Sequence, residues 1–162
     1  MKKEKAIILM GSKSDLDFSR KIGVFLENFK ISYEMRVASA HKTPEKVLDI
    51  IKNYEKEKVV YITVAGKSNA LSGFVDANST KPVIACPPYS GEFSGVDIFS
   101  SLRMPSGIGS LLLTEPEAAA IATAKIFGLE NEEIKKRVFE YQEKKKKEIE
   151  EVDKLLVKNG KI

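Results

Sequence analysis

The chain carries one histidine, His41, in the stretch VASAHKTP (37–44), with Ser39 two positions before it and Lys42 directly after it. Imidazole titrates near neutrality, so a lone His on a loop is either a solvated residue or a group that moves a proton at physiological pH. The hydroxyl of Ser39 and the ammonium of Lys42 suit a phosphate, the Lys as a point charge, though the same residues also make an ordinary polar turn. Three further stretches are small, polar and glycine-containing: GSKSD (11–15), AGKSNALSG (65–73) and CPPYSGEFSG (86–95). In the first, Ser14 and Asp15 are helix-cap candidates, and Asp15 is also suited to accept hydrogen bonds from ribose hydroxyls. In the second, Gly66, Lys67, Ser68 and Asn69, with Gly73, read as a flexible cover donating to a carboxylate or developing oxyanion, or as a turn with a capping Ser or Asn. Cys86, at a strand end before two prolines, has no adjacent base to activate a thiolate and reads as a small buried residue.

The elements that must hold these residues follow from periodicity. Lys5–Met10 (KAIILM) is a short apolar run of the kind buried on both faces of a parallel sheet. Phe18, Ile22, Phe25, Leu26 and Phe29 recur at helical spacing after it. A second strand is expected over Ile31–Ala38, and Pro44 at a first helical position opens a helix to about Tyr54. Val59–Ala65 and Pro82–Cys86 are the third and fourth strands, and SLRMPSGIGSLLL (101–113) leads into a fifth. Pro116 opens an alanine-rich helix expected to close with Gly128 at its C′ position. Alternating strands and helices predict an α/β fold: a three-layer αβα sandwich with a flavodoxin-like parallel sheet in the order 2-1-3-4-5. In such sheets ligands bind outside the carboxyl ends of the strands, where all four polar stretches fall.

Residues 130–158 read as a long charged C-terminal helix holding nine acids and nine bases, so KKKK at 144–147 is no net basic patch. Ile134, Val138, Tyr141, Ile149, Val152 and Leu156 mark a narrow apolar stripe on it. Packing on the domain would explain that stripe; packing on a neighbouring subunit is favoured, because the helix is long enough to overhang a five-stranded domain.

The 162 residues, 43% hydrophobic and 31% charged, fit a single soluble domain spanning 1–162. One Cys and one His leave no intrachain disulfide and no Cys/His zinc cage. No metal site and no cofactor are expected, and no nucleic-acid or membrane partner. The first apolar run, at about five residues, is too short for the core of a signal peptide, so the cytoplasm is the expected location. Neither G-x-G-x-x-G nor G-x-x-x-x-G-K-[ST] follows the first strand, which argues against a dinucleotide or nucleoside triphosphate held in that way. The residues alone lead to a small phosphorylated ligand, a ribose-sensing carboxylate and an imidazole able to transfer a proton.

Taken together, GSKSD, SAHKTP, AGKSNALSG, PVIACPP and SLRMPSGI resemble the PurE-type phosphoribosylaminoimidazole carboxylases of purine biosynthesis, from about Lys5 to Gly128. That family has a branch that rearranges an N5-carboxylated ribonucleotide, with Arg after the SAH histidine and a second His in the third loop. Lys42, a third loop without His, and SLRMPSG match the other branch, class II, which carboxylates aminoimidazole ribonucleotide (AIR) with CO2 as co-substrate. The resemblance implies that His41 and Lys67 are catalytic. It implies substrate contacts from Gly11, Ser12, Ser14, Asp15, Ser39, Ala40, Lys42, Gly66, Ser68 and Asn69, with the phosphate near the serines and Lys42, the ribose at Asp15 and the carboxyl group near residues 66–69. It further implies a homo-octamer with shared sites. The mutase of the same family is the alternative activity. A non-catalytic flavodoxin-like module is a distant one, since a receiver would need acids after the first strand and an Asp ending the third, where Gly11-Ser12 and Ala65-Gly66 stand.

Overall fold

The structure, a computed structural model, describes residues 3–89 and 91–158, without the side chains of 92–94. The two ends of the expected domain, residues 1–2 and 159–162, lie outside the described residues.

Five strands form one parallel sheet: β1 (Lys5–Met10), β2 (Ser32–Val37), β3 (Val59–Val64), β4 (Val83–Ala85) and β5 (Leu111–Leu112), in the order β2-β1-β3-β4-β5. The continuous apolar runs of β1 and β3 have their physical reason in two separate cores. Alternate residues Ala6, Ile8 and Met10 join α1 (Leu16–Asn28), α5 (Pro116–Gly128) and the start of α6 (Glu132–Lys158) on one face. Ile7 and Leu9 join α2 (Pro44–Tyr54) and α3 (Ala70–Ala77) on the other. The three-layer flavodoxin-like architecture is therefore as the sequence pattern predicts.

Several boundaries differ for local reasons. Asp15 stands at the N-cap position of α1, as expected, but its side chain makes no cap bond there; the capping side chain, one 3-10 turn earlier, is that of Ser12. Its Oγ accepts the Ser14 N–H at 3.2 Å while Asp15 Oδ2 accepts the Ser12 N–H at 2.9 Å, a capping box over the 3-10 turn Lys13–Asp15. Gly128 ends α5 as a helical residue and not as a C′ glycine. A Cβ there would lie 3.3 Å from Lys135 Cα, so its role is close packing against α6. Helix α6 starts at Glu132, because Asn131 Oδ1 accepts the Glu133 and Ile134 N–H groups at 3.1 Å each. Residues 70–73, expected within the loop 65–73, belong to α3 (Ala70–Ala77), Gly73 included. Between β4 and β5 lie a 3-10 segment (Glu92–Ile98) and the single-turn α4 (Phe99–Leu102), which periodicity alone does not reveal.

Helix α6 divides in two. Ile134 and Val138 are buried in the core, and Tyr141 stacks obliquely on Phe29 with ring centroids 5.2 Å apart. The Tyr141 hydroxyl donates to Glu117 Oε1 of α5 at 2.7 Å. Beyond these contacts the helix leaves the domain, and Ile149, Val152, Leu155, Leu156 and Val157 are all exposed. Among the described residues, no helix is long and apolar enough to cross a membrane.

The alanines of α5 have a use inside the chain. Ala119, Ala120 and Ala124 are fully buried where α5 packs on α1 and α6. Ala120→Leu should overfill this contact and lower stability by about 1–3 kcal/mol, read as a shifted urea midpoint with an unchanged m-value.

Candidate active site

The topology fixes where a ligand can sit. After β1 the chain moves to one neighbour, β2, and then returns across to the other, β3, which opens a crevice at the carboxyl ends of these strands. A cleft of about 630 Å³ occupies that place. Its walls are Gly11, Ser12, Ser14 and Asp15 after β1, then Ser39, Ala40, His41 and Lys42 after β2, and Gly66, Lys67 and Ser68 after β3. Asn69 is the one sequence candidate that does not line it: its side chain is buried and spent on structure.

The first loop is shaped by its capping box, which leaves the Ser14 hydroxyl donating to Ser12 Oγ at 2.9 Å. Asp15 is buried apart from its edge on the cleft, and desolvation holds its carboxyl above the ordinary range against the opposing Ser12 N–H bond. Small residues also matter here: a Cβ on Gly11 would stand 3.2 Å from Ala65 Cβ, so the ends of β1 and β3 approach closely only with glycine at 11.

The second loop is a turn that holds its own shape. Ser39 C=O accepts the Thr43 N–H at 2.9 Å, Thr43 Oγ1 accepts the Ser39 N–H at 3.0 Å, and Ser39 Oγ accepts the Lys42 N–H at 3.3 Å. His41 and Lys42 are carried exposed at its tip, facing the cleft.

The third loop is not the flexible cover that its composition suggests. Asp97 Oδ2 accepts the Lys67 N–H at 3.0 Å and Ser100 Oγ accepts the Asn69 N–H at 3.1 Å. Asn69 Nδ2 donates to Ser101 Oγ at 2.8 Å while its Oδ1 accepts the Ser72 N–H at 3.4 Å, capping α3. Lys67 itself sits at φ +60°, a left-handed conformation that costs a non-glycine residue about 1–2 kcal/mol and persists because its surroundings hold it. The backbone N–H groups of 67 and 69 are thus committed elsewhere, and the side chains of Lys67 and Ser68 are what the loop offers to the cleft.

Residues that sequence reasoning did not single out complete the wall: Ala65, Leu71, Pro88, Tyr89 and Gly91. Tyr89 is 85% exposed at the rim, its ring 3.2 Å from where a Gly95 Cβ would be, and Gly95 has φ +74°. Tyr89 lies in the stretch CPPYSGEFSG, which the sequence already places at the carboxyl edge of the sheet without giving this residue a role of its own. Cys86 is fully buried, and burial pushes its thiol up to about 12, which leaves it inert. Among the described residues, no three His, Cys, Asp or Glu side chains come together as a metal site.

This is a flavodoxin-like α/β domain whose switch-point crevice is lined by three serines, an aspartate, two lysines and one histidine from the loops after β1, β2 and β3, with Ser68 beside them. The chain belongs to the AIR carboxylase family, whose model matches residues 5–148. A phosphoribosylaminoimidazole carboxylase of Archaeoglobus fulgidus is 63% identical over 149 residues, covering 92% of this chain and 83% of that protein. One from Treponema denticola is 50% identical, covering 91% and 94% respectively. A bifunctional phosphoribosylaminoimidazole carboxylase/phosphoribosylaminoimidazole succinocarboxamide synthetase of Homo sapiens is 43% identical over 78% of this chain, but only 30% of that protein is matched. The crystal structure of Treponema denticola PurE superposes with a TM-score of 0.93 at 49% identity, over 95% of this chain and 99% of that one.

The raised Asp15 carboxyl has a testable sign. Its protonated form is favoured in the folded state, so its contribution to stability is greatest at low pH and is lost as pH rises through the raised value. Asp15→Asn keeps an acceptor for the Ser12 N–H and removes the buried charge. The variant should melt at higher temperature than the wild type near pH 7, and the gap should close as the pH falls to about 3 in a series of thermal melts.

Proposed function

We propose that this chain reversibly carboxylates C4 of AIR with CO2, giving the 4-carboxylate without ATP, in purine biosynthesis. The observation that carries the reading is the lone imidazole, His41, at the tip of a turn on the same cleft as Lys42, Lys67 and the serines of the first two loops. Relatives named phosphoribosylaminoimidazole carboxylase, one of them 63% identical, support the substrate. Lys42 after His41, and a third loop without histidine, favour CO2 over an N5-carboxylated isomer.

The chemistry asks little of a cofactor. The 5-amino group pushes electron density through the ring, so C4 attacks the carbon of CO2 and a C–C bond forms. C4 then holds both a proton and the new carboxylate, with positive charge delocalised over the ring. Neutral His41 takes that proton, the C4–H electrons restore the aromatic double bond, and the imidazolium releases the proton to solvent. In reverse, His41 protonates C4 and CO2 departs. The phosphate is assigned to Ser12, Ser14, Ser39 and Lys42, where hydroxyls and an ammonium converge at a strand-end crevice. Asp15 accepts from the ribose hydroxyls. Gly11, Ala40 and Gly66 contribute close backbone approach, and Lys67 and Ser68 face the carboxyl group. Asn69 serves by capping α3 and fixing that loop.

The reading extends to assembly. The half of α6 beyond Tyr141 carries five exposed apolar side chains between Ile149 and Val157. An octamer in which this half packs on a neighbouring copy would cover them and bring the walls of neighbouring sites together. Val152→Glu with Leu156→Glu should reduce the sedimenting species while leaving the far-ultraviolet dichroism of the fold in place.

Two measurements test the activity. Purified protein supplied with AIR and bicarbonate, free of ATP, should form the 4-carboxylate; no turnover there, or faster turnover of the N5-carboxylated isomer, would favour the mutase instead. His41→Asn should lower both carboxylation and decarboxylation by at least about 100-fold, with nucleotide affinity within about threefold of wild type by calorimetry. Substantial residual activity would remove His41 from proton transfer.

A further inference from the structure

The segment between β4 and β5 returns to the loop after β3 and holds it from behind. Three consecutive contacts make the connection: Asp97 Oδ2 with the Lys67 N–H, Ser100 Oγ with the Asn69 N–H, and Ser101 Oγ with Asn69 Nδ2. Ser100 Oγ also lies 3.0 Å from Lys67 O and 2.7 Å from Asp97 O, and its single proton serves one or the other. Lys67 is thereby gripped through both its N–H and the neighbourhood of its C=O, while at φ +60°. A lysine not held in this way would relax to negative φ.

Asp97 stands close behind the peptide that matters. A Cβ on Gly66 would lie 4.0 Å from Asp97 Oδ2, so the carboxylate is beside the 66–67 linkage. A trans peptide is planar and points its N–H and C=O in opposite directions, so fixing the Lys67 N–H fixes the plane of the whole unit. With Ser100 Oγ beside the Lys67 C=O, the next peptide plane is held as well, and the two planes together set φ at Lys67 and the direction in which its Cα–Cβ bond leaves the backbone. Asp97 does not line the His41 cleft; it lines a neighbouring cavity of about 290 Å³ on the other side of the loop, of which Lys67 is a shared wall.

We propose that Asp97 is a positioning residue: by accepting the Lys67 N–H it holds that residue left-handed and aims Lys67 and Ser68 at the carboxyl group being made or released. The role rests on the carboxylase reading above. It requires an acceptor at this position and neither proton transfer nor contact with substrate. A charged acceptor suits it because such hydrogen bonds are the stronger ones.

Asp97→Ala removes the acceptor, and Asp97→Asn keeps one in the same shape. Steady-state kinetics with AIR and CO2 varied independently should show kcat/KM for CO2 falling at least about tenfold in the Ala variant. The nucleotide KM should stay within about twofold, because the phosphate and ribose contacts lie on other loops. Asp97→Asn should restore most of the loss. Amide hydrogen exchange over residues 65–71 should quicken in Asp97→Ala and return towards wild type in Asp97→Asn. Wild-type kinetics in Asp97→Ala would overturn the role, and so would an Asn variant as impaired as the Ala variant, since charge and not the hydrogen bond would then be the agent. If the wild type fails to carboxylate AIR, the exchange comparison still decides the clamp: faster exchange in Asp97→Ala supports it while the carboxylase reading falls, and unchanged exchange overturns it. Should Asp97→Ala not fold, Ser100→Ala, which removes the acceptor of the Asn69 N–H, is expected to give the same selective loss against CO2, and its absence would count against the clamp.

Discussion

Every part of the cleft depends on the parallel, in-register pairing of β1 with β2 on one side and β3 on the other. Met10 is paired with Val37 and with Val64, so three strands reach their carboxyl ends at one level. The ladder continues a step further, with the Ala38 N–H donating to Met10 O and the Gly11 N–H donating to Val64 O, both at 2.9 Å. The loops that begin at Gly11, Ser39 and Gly66 therefore leave the sheet side by side. A slip of one residue in either pairing would reverse which side chains enter each core, and the burial of both faces forbids it. The hydrophobic effect that drives β1 and β3 inward is thus also what aligns the polar loops.

Much of this was legible in the sequence because its signals are local or periodic. KAIILM and VVYITV have the unbroken apolar character of strands covered on both faces, and the order of strands and helices left few topologies for a parallel sheet. Eleven of twelve candidate site residues line one cleft, because strand-end loops in this architecture have only one edge to occupy. What stayed hidden has a common physical character. The 3-10 turn capped by Ser12 ahead of α1, and the Asn131 cap one residue past the expected start of the last helix, depend on side-chain to backbone bonds that periodicity does not show. Helix α3 is short and mixes Gly73 with apolar residues, so its composition reads as a loop. Gly128 looked like a helix stop, but its missing Cβ is used against the Lys135 backbone, a neighbour visible only once α6 is folded back.

The charges around the cleft are arranged by distance from water. Lys42 and His41 are exposed on a turn tip that faces the cleft. Asp15 sits deeper, and its burial works against its own charge. Cys86, buried at the end of the next strand, is denied ionisation altogether. Among the described residues that line the cleft, His41 is the one imidazole.

The three loops differ in how they are closed, and this divides the site into two ends. The loops after β1 and β2 are shaped by bonds between residues two to four positions apart, so their geometry is written into the residues that form them. The loop after β3 is shaped by partners more than thirty positions away in sequence, which is why its composition alone reads as flexible. Local opening of the Glu92–Leu102 region would release Lys67 from its left-handed conformation while leaving the serines and Lys42 in place. The two loops that carry the serines and Lys42 thus hold their shape through sequence-local contacts. The loop after β3 takes its shape only with the chain between β4 and β5 docked behind it, so order in that segment and the backbone conformation of Lys67 are linked.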